Sequence, residues 1–107
     1  MKTAEKLAWL TKYAHTMHIN VNDYRAYYET VADHFERPEN EDVADWVKTE
    51  CERTGQIVSV QVYPHTPIGF YRIVRPTLER AIDDAFLSVL SEDLGPEALA
   101  AGKAIGE

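Results

Sequence analysis

Ile57-Val58-Ser59-Val60-Gln61-Val62-Tyr63 is the stretch on which the reading of this chain turns. Val58, Val60 and Val62 alternate with polar positions, and a period of two marks a strand with one buried face. The next six residues, Pro64-His65-Thr66-Pro67-Ile68-Gly69, hold two prolines and a glycine, which predicts a loop. Phe70-Tyr71-Arg72-Ile73-Val74 then supplies the returning strand, so the centre of the sequence reads as a β-hairpin.

Outward from the hairpin the period changes to that of helices. On its C-terminal side Pro76 suits a first helical position, and Leu78, Ile82, Ala85, Phe86 and Val89 form one stripe of a helix that ends near Leu94. On its N-terminal side a helix is expected over about Glu41 to Arg53, with Asn40 as cap and Glu41 and Asp42 in the first turn, where the helix dipole favours anions. Gly55 is placed to take the left-handed conformation after its end. Further back, Tyr24, Tyr28, Val31 and Phe35 predict a helix over about Asp23 to Phe35, capped by Asn20 or Asn22 and stopped by Pro38. Leu7, Leu10, Ala14 and Met17 predict another over about Thr3 to Thr16. Residues 95–107, rich in Ala and Gly, have too little apolar area to fold alone and read as a C-terminal tail.

The expected architecture is therefore a single mostly helical α+β domain over residues 1–94: three helices, a β-hairpin and a C-terminal helix. That order resembles the winged-helix domain over roughly Thr3 to Val74. The resemblance implies a third helix that reads DNA, the hairpin as wing, and a dimeric transcriptional regulator that uses Tyr71, Arg72 and Arg75 on nucleic acid.

Charge argues the other way. Residues 53–78 contain no Asp or Glu and count +3 in a chain of net charge −7, so the remainder carries −10. The 41–53 helix itself holds Glu41, Asp42, Asp45, Glu50 and Glu52 against Lys48 and Arg53, and such a face repels phosphate. Arg72 and Arg75 are expected to pair with the chain's own carboxylates, Asp83 or Asp84. Meanwhile Asp33, Glu36, Glu39, Glu41, Asp42 and Asp45 crowd thirteen residues. Spaced negative charge of this kind imitates a nucleic-acid backbone, which a basic groove on a nuclease or polymerase would accept. Tyr27, displaced about 100° from the Tyr28 stripe, adds an aromatic to the same surface or to a homodimer face.

Catalytic chemistry finds no pattern. His15, His18 and His34 lack a metal-binding motif, no glycine-rich phosphate loop or nucleophile elbow is present, and no cofactor is implied. The single cysteine, Cys51, falls on the apolar side of its helix and suits a reducing compartment. Without a secretory h-region after Met1 or an apolar run long enough to span a bilayer, the expected location is the cytoplasm. The expectation is a small acidic, non-catalytic protein that binds a basic protein partner. In size and charge it is similar to the inhibitors that bacteriophages direct at host nucleases, including anti-CRISPR proteins.

Overall fold

The fold was obtained as a computed structural model, which describes residues 2–24, 41–65 and 69–106, and of 41–45 the backbone alone. The described elements run α1 (Lys2–Tyr13), β1 (Thr16–Asp23), α2 (Glu41–Thr54), β2 (Gln56–Tyr63), β3 (Tyr71–Arg75), α3 (Leu78–Leu90) and α4 (Pro96–Gly106). The strands make one antiparallel sheet in the order β1-β2-β3.

This corrects the expected fold. The order is α-β-α-β-β-α-α, not three helices followed by a hairpin and a helix, so the winged-helix order fails. The reason lies in Thr16-Met17-His18-Ile19-Asn20-Val21-Asn22-Asp23. Met17, Ile19 and Val21 alternate with His18, Asn20 and Asn22, and these β-branched and short polar residues are poor helix formers. The 3,4,3 spacing that ends at Met17 carries the first helix too far, and Asn20 and Asn22 are strand residues rather than caps. His15 and His18 accordingly lie before and on a strand, not along one side of a helix.

β2 is the keel of the molecule. Its even residues, Val58, Val60 and Val62, face Trp9 and Leu10 of α1, Ile82, Ala85, Phe86 and Val89 of α3, and Ala98 of α4, all buried in one cluster. Ile57 looks the other way. With Val74 of β3, Tyr24, and Val47 and Cys51 of α2 it forms a second, smaller cluster. Alternation along β2 therefore feeds two cores, one on each face of the sheet. The helix expected to read DNA is instead packed by Val47 and Cys51, four residues apart, flat against the sheet.

Local rules explain the ends of the elements. Gly55 takes φ +74° after α2, and its N–H returns to the Cys51 carbonyl at 2.8 Å. Thr77 caps α3, so Pro76 stands before the cap and not at the first helical position expected for it: the Thr77 side-chain oxygen accepts from the Arg80 N–H at 3.2 Å. The stripe expected for this helix is the one it buries. Residues 96–106, read as tail, form α4, whose Ala98 and Gly102 lie buried. A Cβ on Gly102 would stand 2.4 Å from Leu90 Cδ1 and 3.3 Å from the Trp9 ring, so a larger residue here would require the Leu90 side chain to shift. Among the described residues no helix is long and apolar enough to cross a membrane.

Candidate functional site

Polar chemistry converges where the β2–β3 loop meets the end of α3. β3 opens with Tyr71, whose hydroxyl donates to Glu92 Oε1 just beyond α3, while His65 Nε2 in the loop lies 3.4 Å from Glu92 Oε2. Sharing the tyrosine proton favours the carboxylate. Glu92 is held below the usual glutamate range by that bond first, and by His65 in addition. The same bond, with burial and the nearby negative charge, raises Tyr71 above its ordinary value. Pro64, Gly69 and Phe70 complete a recess of about 270 Å³ around the trio. It is smaller than the roughly 300–1,000 Å³ of small-molecule sites, and among the described residues no Ser, Thr or Cys lines it. What the arrangement does is clip the hairpin to the helix layer.

The signs give a pH window. A depressed Glu92 contributes stability that is present above the ordinary glutamate value, about 4.3, and lost as pH falls through its lowered one. A raised Tyr71 contributes stability present below about pH 10 and lost as pH rises through its own higher value. The clip should therefore be closed across neutral pH. In an NMR titration toward pH 3, the Tyr71 ring and the amides of residues 69–71 should shift together with the Glu92 carboxyl. Glu92→Gln should remove that step; an unchanged step would assign the acid transition elsewhere.

The hairpin arginines divide. Arg75, mostly buried, donates from Nε to Asp84 Oδ2 at 2.6 Å and from Nη1 to its own Val74 neighbour's carbonyl at 2.8 Å. Asp83 is taken by Lys6 Nζ at 3.2 Å. Arg53 pairs with Glu50 at 2.8 Å, and Arg80 stacks 4.2 Å above the Trp46 ring. Arg72 alone of the three cations in residues 53–78 has no hydrogen bond or ion pair among the described residues; it sits beside Gln61 in the ladder, on the face away from the main core. Tyr71, Arg72 and Arg75 thus do not form one nucleic-acid-binding surface: the first two point to opposite faces of the sheet, and the third is bound to α3.

Of the anionic residues singled out from the sequence, Glu41, Asp42 and Asp45 lie in the first turns of α2. Asp33, Glu36, Glu39 and Tyr27 lie outside the described residues. Cys51 is fully buried, and desolvation pushes its thiol up to about 11, so it is a packing group rather than a nucleophile. Among the described residues no three His, Cys, Asp or Glu side chains gather as metal ligands do. The Tyr71–Glu92–His65 clip had no signature in the sequence: Glu92 stands 27 positions after His65, and only the return of the chain through α3 brings them together. No protein-family model, curated protein or solved structure matches this chain.

Proposed function

We propose that the protein is a non-catalytic binding protein that engages a basic protein surface, of the kind that holds a nucleic acid, through the acidic start of α2 and the segment before it. The observation that carries this reading is the disposition of charge. Arg53 and Arg75 of the single cation-rich stretch are committed to Glu50 and Asp84, and the chain as a whole keeps a net charge of −7. Its long-range field is negative, which steers it toward positive surfaces and away from phosphate.

The test is displacement. Labelled duplex DNA is bound to a panel of purified nucleases and polymerases, and its anisotropy is followed as the protein is added. Wild type should release DNA from at least one of them, more weakly as salt rises. Replacing Glu39, Glu41, Asp42 and Asp45 by Gln and Asn should raise the required concentration about tenfold or more, as expected when several attractive charges are lost together. A quadruple variant that displaces DNA as well as wild type would overturn the assignment to this region. Salt-sensitive binding of the protein itself to the labelled DNA would overturn the reading altogether.

A further inference from the structure

The two edges of the sheet differ sharply. β3 is five residues long, carries Arg72 and Arg75, and is closed by Pro76, the features that keep an edge from pairing with another chain. β1 lacks them until its last residue, Asp23. It is eight residues long, and Thr16 to Asn22 contains no charged residue and no proline.

The phase of its hydrogen bonds can be read. Tyr24 N–H donates to the Gly55 carbonyl at 3.0 Å, continuing the register that pairs Asn22 with Ile57 and Asn20 with Ser59. In an antiparallel ladder bonded and non-bonded pairs alternate, so the even residues turn their backbone groups toward β2 and the odd ones turn theirs outward. Met17, Ile19 and Val21 therefore present a row of N–H and C=O groups at the edge, and among the described residues none of the three makes a further hydrogen bond. The side chain of Val21 is 54% exposed beside them.

We infer that β1 pairs antiparallel with β1 of a second copy of this chain, joining two three-stranded sheets into one of six strands. The sequence is its own complement about Ile19. In that register Met17 faces Val21 of the copy, Ile19 faces its equivalent, and each of these pairs exchanges both N–H···O bonds on an apolar face. His18 faces Asn20 on the other face. At the ends Thr16 comes opposite Asn22, so the paired residues 16–22 add no like-charge contact to the repulsion between two acidic protomers. An unrelated strand would meet the same open groups without this match of both faces. The inference does not rest on the function proposed for the acidic start of α2.

Sedimentation equilibrium and amide hydrogen exchange test this on the full chain. A species of twice the protomer mass should form with rising concentration and, because both copies are acidic, should strengthen with salt, opposite to binding of a basic partner. The amides of Met17, Ile19 and Val21 should become protected with concentration, while those of His18, Asn20 and Asn22 stay protected throughout. Val21→Pro removes an outward N–H, which an edge strand tolerates, and should raise the dimer Kd about thirtyfold by deleting two symmetry-related bonds. Val21→Lys, which leaves the backbone intact, should also weaken the dimer and guards against misfolding of the proline variant. A monomer at millimolar concentration would overturn the inference. So would a dimer that survives both variants with the three odd amides still exchanging.

Discussion

Trp9→Ala should cost about 3–5 kcal/mol, a large part of the roughly 5–15 kcal/mol that holds a domain of this size. Trp9 is the residue on which three helices meet. Its ring, 3% exposed, packs edge-on against Phe86 of α3 at a centroid distance of 5.1 Å. Its Nε1–H donates to the buried Ala98 carbonyl of α4 at 2.9 Å, and Gly102 passes just beneath it. Truncation removes all three contacts and opens a cavity between α1, α3 and α4. Urea denaturation should show the loss as a lower midpoint. Trp9→Phe, which keeps a ring but deletes the donor, should lose only about 1–2 kcal/mol. If the alanine variant lost less than about 1 kcal/mol, α4 would be held by something other than Trp9.

A carboxylate in β2 should act differently according to the face it enters. Ile57→Asp places a charge among Val47, Cys51, Val74 and Tyr24, whose hydroxyl is already bonded to Glu52 of α2. A buried charge costs several kcal/mol, but among the described residues the buried contact of α2 with the sheet is this small cluster, and α2 can move off it. The expected result is local: amides of α2 lose their protection in hydrogen exchange while those of α3 keep theirs. Val58→Asp, one position on, puts the charge among α1, α3 and α4, where no single element can leave, and should unfold the whole domain. Global unfolding of the first variant, or protected α3 amides in the second, would contradict the two-core description.

Legibility followed the range of the forces involved. The stripe of α3, the alternation of β2 and the helix ended by Gly55 are products of local periodicity and local capping, and each can be read from its own residues. β1 could be mistaken because Leu7, Leu10, Ala14 and Met17 keep helical spacing across its start, and only the partner strand 33 to 47 positions away settles the matter. α4 is invisible in isolation for a related reason: Ala98 and Gly102 bury little area of their own and matter as a flat surface for Trp9 and Leu90. At the site, ion pairing of Arg75 with Asp84 is foreseeable from composition, whereas the choice of Lys6 for Asp83, and the absence of a described partner for Arg72, depend on how the layers meet.

The long reach between β1 and β2 also has a meaning in time. β3 pairs with β2 across only 9 to 17 positions, but β1 must close a loop of at least 33. Loop-closure entropy makes the longer step dearer by about 1 kcal/mol, so the local hairpin should form first and recruit β1 afterwards. On the ribosome the order of synthesis is the reverse. At roughly 5–20 residues per second, β1 is made about 2–9 s before the strand it needs. For that interval a strand-former uncharged from Thr16 to Asn22 waits without β2, and the concentration of nascent neighbours, rather than the stability of the finished fold, decides what it meets.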